Sequence, residues 1–185
     1  GERALLSATR GLQRAVESSL GTEAWLERVE AARRSAPEDP KAIARTLSLA
    51  LGDRAVDSLD LYHLAKRLGE LHEESSDSAA ALEAYRRALA FAPKDALLLE
   101  RIDEILRAQG NPEERVALYR TTLAQGVPKE QRKNLLHRIG AIAWHELTDF
   151  DGAIGAFAEA LEDSPLDVEA YGALSELYSQ SGRFD

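Results

Sequence analysis

The 185-residue sequence contains neither cysteine nor methionine. Without cysteine there is no disulfide framework, no thiolate metal site and no cysteine nucleophile, and the redox compartment stays open. Without methionine, Gly1 is not a translational start, so a piece of a larger protein is expected. Aromatic residues are scarce, with four Phe, five Tyr and two Trp. β-Branched residues are sparse as well, and Ala, Leu, Glu and Arg dominate, which predicts helix nearly throughout and no sheet. No apolar run approaches the ~20 residues that cross a bilayer, and nothing near Gly1 has the order of a signal peptide. Membrane insertion is therefore not expected, and a cytoplasmic location is. Basic charge is also in short supply: the formal net charge is −9. That balance argues against nucleic acid as a partner, because phosphate-binding surfaces cluster Lys and Arg. The deficit is local. Residues 1–145 carry 22 basic and 22 acidic side chains, whereas residues 146–185 carry Arg183 alone against ten carboxylates.

What the sequence does contain is a repeat. Leu68-Gly69, Ala81, Tyr85, Ala88 and Pro93 stand at fixed offsets within residues 62–95. The same spacing returns at Ile139-Gly140, Ala153, Phe157, Ala160 and Pro165 within residues 133–167. Between them, residues 96–132 keep Ile102, Gly110 and Tyr119 in register, but Asp103, Arg115 and Thr122 occupy positions that are small elsewhere, so close helix approach is less secure there. A last unit, 168–185, places Tyr171, Leu174, Tyr178 and Gly182 on pattern and stops before a second helix. This pattern resembles the tetratricopeptide repeat (TPR), a helix-turn-helix unit of about 34 residues. The resemblance implies an all-α, right-handed α-solenoid of stacked TPR-like repeats, each burying a face that no single hairpin covers alone. About ten helices are expected in all.

The first 61 residues fit less well. Leu12, Val29, Ala32 and Pro37 keep a similar spacing, Asp39-Pro40 reads as an N-cap followed by Pro at the first helical position, and Gly52 reads as a helix stop. Residues 1–61 are expected to form two irregular helical hairpins, or one hairpin and a long helix, with a degenerate TPR over roughly 6–39 and Trp25 in its core.

Turn chemistry supports the parsing on its own terms. In Gly110-Asn111-Pro112-Glu113, Gly suits a left-handed helix end, Asn caps the next helix, and Pro and Glu suit its first turn. Asp77 or Ser78, Asp149 and Asp167 are further candidate caps.

In the resembled family the first helix of each repeat lines a concave groove, and helical periodicity then selects which residues face it. On the first regular unit Ala65, Leu68, Leu71 and His72 turn to the core, leaving His63, Lys66, Arg67, Glu70 and Glu73. The second unit offers Leu97, Glu100, Arg101, Glu104 and Arg107, and the third Asn134, His137, Arg138, Ala141 and Trp144 or His145. Glu169, Gly172, Glu176 and Ser179 follow. The candidate partner-binding groove is thus Lys66, Arg67, Glu70, Arg101, Glu104, His137, Arg138 and Trp144. Its Arg and Lys stripe has the chemistry to grip a carboxylate or phosphate. TPR domains that clamp a chaperone's C-terminal carboxylate use Lys, Asn, Asn, Lys and Arg at such positions. Lys66 and Arg138 match that set; Glu70, Arg101 and Asn134 depart from it, so a solvated mixed-charge face is the simpler reading.

Trp144 has two registers. If the third unit's extra residue lies in the turn near Leu147, Ala143 fills the buried slot and Trp144 faces the groove; if it lies earlier, Trp144 is core. His63, His72, His137 and His145 show no i+3 or i+4 pairing, no phosphate loop is present, and Ser75, Ser76 and Ser78 lack a nucleophile elbow. No metal, cofactor or catalytic centre is expected. The expected function is a non-catalytic scaffold for a protein or peptide, the alternative being a regulatory or sensor segment of a larger enzyme or signalling protein. Two further expectations concern the chain's end: the acidic segment meets a basic partner or is merely uncompensated charge, and the apolar stripe Tyr171, Leu174, Leu177, Tyr178 promotes end-to-end self-association through residues 168–185.

Overall fold

A computed structural model describes residues 59–181 continuously, together with isolated helical positions between Arg3 and Ser48. Trp25, Asp39-Pro40, Gly52 and the spacing of Leu12, Val29, Ala32 and Pro37 lie outside the described residues. The continuous part is all-α, with no strand among the described residues. Its helices are α1 (Leu59–Glu74), α2 (Ser78–Phe91), α3 (Ala96–Ala108), α4 (Pro112–Ala124), α5 (Lys129–His145), α6 (Phe150–Asp163) and α7 (Val168–Ser181). They form TPR-like hairpins grouped into two compact units, Gly1–Ile102 and Asp103–Asp185, with the division falling inside α3.

In the first unit α1 packs on α2. Leu61, Leu64, Ala65, Leu68 and Leu71 lie on one stripe of α1 and are buried against Ala81, Ala84, Tyr85 and Ala88 of α2. The close approach depends on Gly69, where an added Cβ would fall within the Tyr85 ring. Burying side chains of this kind contributes roughly 1.5–3 kcal/mol for each large one. His72, which the periodicity turns to the core, is only half-buried. The chain reverses through Ser75 and Ser76, the latter in the left-handed region at φ 59°. Asp77 then caps α2 by accepting from the Ala80 N–H at 3.1 Å.

The second unit repeats the device. Leu136, Ile139 and Ala143 of α5 are buried under Ala153, Ala156, Phe157 and Ala160 of α6. A Cβ on Gly140 would lie 2.6 Å from the Phe157 ring. Asn111 caps α4 and Asp149 caps α6 through side-chain oxygens. Gly110, at φ +66°, supplies the left-handed residue that ends α3.

The hairpin of α3 and α4 departs from this pattern. Its slots for small residues hold Asp103, Arg115 and Thr122, all buried beside Tyr119. Asp103 accepts from Arg115 Nε at 2.7 Å and from Arg107 Nη2 at 2.6 Å. Thr122 returns its hydroxyl to the Leu118 carbonyl at 2.9 Å. Burial works against the Asp103 carboxylate, but Arg115, Tyr119 and Arg107 outweigh it and hold the carboxyl below its ordinary range. A satisfied ion pair thus takes the place of small-residue packing.

Candidate functional site

The candidate groove residues fall in both units. In the first, Lys66 is half-exposed, 3.4 Å from the Tyr62 hydroxyl, with its ammonium 5.7 Å from that ring's centroid. Arg67 is held by three carboxylates: Nε donates to Glu30 at 2.6 Å, and Nη1 donates to Glu70 at 2.7 Å and lies 3.6 Å from Glu74. Arg101 pairs with Glu73 at 2.9 Å, and Glu73 also accepts from the Tyr85 hydroxyl at 2.6 Å. Burial, and then Glu73, push the Tyr85 hydroxyl well above its usual range. Arg67 and Arg101 therefore each sit among carboxylates that already pair with them. A guanidinium already paired this way gives up a partner to take an external anion.

In the second unit Glu104 is exposed. Arg138 donates to the Tyr119 hydroxyl at 3.1 Å and lies 5.8 Å from that ring's centroid. The Tyr119 hydroxyl is pushed up to about 12 by burial, with Arg138 and Asp103 acting in opposite directions on it. His137 is mostly buried, with Nε2 2.6 Å from Asp167 Oδ2, Nδ1 3.5 Å from Glu169, and its ring edge-on to Phe157. Burial disfavours the Asp167 carboxylate, yet His137, the Ala170 N–H and Lys133 together hold its carboxyl below the usual range.

The register at Trp144 is resolved by Ala143, which is 3% exposed and fills the core slot. The extra residue lies in the turn: Leu147 N–H returns to Ile142, Asp149 N–H to Ala143, and Thr148 takes φ 53°. The core reading of Trp144 is therefore corrected. Its indole is half-exposed on α5, stacked on His145 with centroids 4.4 Å apart, and Nε1 donates to Gln180 Oε1 of α7 at 3.2 Å.

One arrangement escaped the sequence reading. Asp95 caps α3 by accepting from the Leu98 N–H at 3.1 Å, and its other oxygen accepts from the Tyr62 hydroxyl. Asp167 does the same for α7, taking the Ala170 N–H at 3.3 Å and His137 and Lys133 on its other oxygen. The signal was present in Pro93-Lys94-Asp95 and Pro165-Leu166-Asp167. Lys66 and His137 thus belong to a recurrent polar joint between successive first helices.

Among the described residues no cluster of three or more His, Asp or Glu is arranged to hold a metal ion, and no helix is long and apolar enough to cross a membrane.

No family model matches the chain and no curated relative matches it in sequence. Among solved structures, a MamA structure is similar over 82% of this chain and 83% of its own, at 13% identity and a TM-score of 0.47. MamA AMB-1 is similar over 99% and 85%, at 18% identity and a TM-score of 0.49. A tetratricopeptide repeat protein from Parabacteroides merdae ATCC 43184 is similar over 95% and 74%, at 16% identity and a TM-score of 0.41. These likenesses concern the fold alone.

Proposed function

We propose that this chain is a non-catalytic interaction scaffold that holds a peptide or partner protein on the groove-side faces of its repeats. The contacting residues are Lys66, Arg67, Glu70 and Arg101 in one unit and Glu104, His137, Arg138 and Trp144 in the other. The observation that carries this reading is Trp144. A half-exposed indole is a costly residue to leave in water, and Trp is among the commonest binding anchors. Its stack on His145 and its bond to Gln180 hold one orientation in advance, which lowers the entropy lost on binding. The charged candidate residues of each unit contribute little affinity each where they already hold a partner; their part is to steer and select the partner.

The test is capture of partners by the immobilised chain, compared with Trp144→Ala and Arg138→Glu. Loss of the same captured protein from both variants, with melting curves unchanged, is the expected result. Undiminished capture by Trp144→Ala would remove the anchor from the proposal.

A further inference from the structure

On the groove side of α7, Glu169, Glu176 and Gln180 recur at helical spacing as one exposed stripe, across the helix from Tyr171 and Tyr178. Gly172 stands beside them, also exposed, with nothing within 4 Å of the place a Cβ would take. Other carboxylates of the acidic segment are already engaged. Glu146 meets Arg115, Glu159 and Asp163 meet Arg132, and Asp167 meets His137 and Lys133. Glu176 differs. Among the described residues its contact is the Gln180 amide, whose Nε2 donates to Oε1 at 3.1 Å, and no cation pairs with it.

That amide joins the carboxylate to an aromatic ring. Gln180 Oε1 accepts from Trp144 Nε1 at 3.2 Å, so both ends of the amide are fixed. Indole and carboxylate are thereby held one amide apart, on successive first helices of the same unit. His145 covers one face of the indole, and the ring stays half-exposed. An indole beside an anion with no counter-charge has the chemistry to take a cation on an apolar stem. The ring attracts the charge and covers the stem, and the carboxylate takes the charged head. Arg suits this pair better than Lys, because its planar fork both stacks on a ring and pairs with a carboxylate. The basic residues of α5 are engaged elsewhere, Arg138 at the Tyr119 hydroxyl and Lys133 at Asp167.

We propose that the groove between α5 and α7 selects a basic side chain of the bound segment, Arg ahead of Lys, which lies on Trp144 and sets its charge against Glu176. The open space at Gly172 lets the segment's backbone pass close to α7. This rests on the groove reading above and names the residue type that the groove selects. Trp144 supplies the contact area, and Glu176 supplies the preference for positive charge.

The experiment selects phage-displayed random peptides on the whole chain and titrates the best of them, labelled, by fluorescence polarisation. Selection is expected to converge on one position held as Arg or Lys. Exchanging that residue for citrulline, or for norleucine where it is Lys, keeps the length and removes the charge, and should weaken binding about three- to tenfold. Glu176→Gln should weaken the basic peptide by a similar factor and leave the neutral one unchanged, a division that a merely structural role would not produce. Glu162→Gln, which removes an exposed carboxylate from α6, should change neither. Trp144→Ala should weaken both, and Gly172→Leu should weaken both without lowering the melting temperature. Peptides that need Trp144 but lose nothing with citrulline or norleucine would overturn the proposal and leave the groove standing. A basic preference that survives Trp144→Ala intact would overturn it as charge attraction alone. Binding of both peptides indifferent to Trp144→Ala would remove the groove reading itself, and no peptide bound by about 1 mM would overturn the proposal whatever partner capture shows.

Discussion

Arg115 is buried against Asp103, its Nε donating to Oδ1 at 2.7 Å, while its Nη1 reaches both oxygens of Glu146 at 2.7 and 2.9 Å. One guanidinium therefore joins α3, α4 and the turn after α5. Arg115→Met takes from the fully buried Asp103 carboxylate one of its two guanidinium partners, leaving Arg107, and should cost up to about 3 kcal/mol. Asp103→Leu combined with Arg115→Met removes both charges from the site and should return to within about 1 kcal/mol of the parent. Urea denaturation of the parent, the two single variants and the double variant checks this; simple additivity of the two changes would show that the pair is not coupled.

The glycine and aromatic contacts should be equally sensitive from either side. Gly140→Ala drives a methyl into the Phe157 ring, which is itself buried, and should cost about 1–3 kcal/mol by overpacking. Tyr85→Ala empties the corresponding slot in the first unit and should cost about 3–5 kcal/mol. If chemical denaturation places either variant within about 0.5 kcal/mol of the parent, the packing register described for that hairpin is incorrect.

Acid should unfold the protein through its paired aspartates. Asp95, Asp103 and Asp167 are all held below the ordinary carboxyl range in the folded chain. A depressed folded value means that their contribution is present above the unfolded value of about 3.9 and is lost as pH falls through the lower folded values. Denaturation midpoints should therefore drop most steeply below about pH 4. Asp167→Asn should be less stable at neutral pH and show a shallower acid limb; an unchanged limb would mean that Asp167 does not take part in it.

Thr148 occupies the left-handed region at φ 53°, where a β-branched residue is strained by roughly 1–2 kcal/mol. Thr148→Gly relieves that strain but loses the hydroxyl's bond to the Leu147 carbonyl and adds freedom to the unfolded chain. A net gain of about 0.5–1 kcal/mol is expected, read as a raised melting temperature. A lower one would show that the hydroxyl holds the turn.

Much of this was legible because the repeat encodes contacts at fixed offsets. Gly69 with Tyr85, and Gly140 with Phe157, could be read directly, as could the caps at Asp77, Asn111, Asp149 and Asp167. Trp144 could not be read, since its unit is one residue longer and each register puts a different side chain in the core; only the turn at Leu147 and Thr148 decides between them. Asp103 and Arg115 read as decay of the pattern, because a sequence shows two lost small residues and not the bond that replaces them. The groove charges escaped for a similar reason. Arg67 meets Glu30 from 37 positions away, and no periodicity links the two.

The aspartates that begin α3 and α7 have one more consequence. Amides in a helix's first turn ordinarily exchange freely with solvent, because no earlier carbonyl protects them. Those of Leu98 and Ala170 are instead closed by carboxylates whose second oxygen is fastened to the preceding first helix, at Tyr62 and at His137. Their hydrogen exchange becomes a pair of local clocks, each running slow only while its neighbouring repeat is in place. Followed by NMR through a mild denaturant series, the two clocks would report the order in which the repeats come apart, one joint at a time.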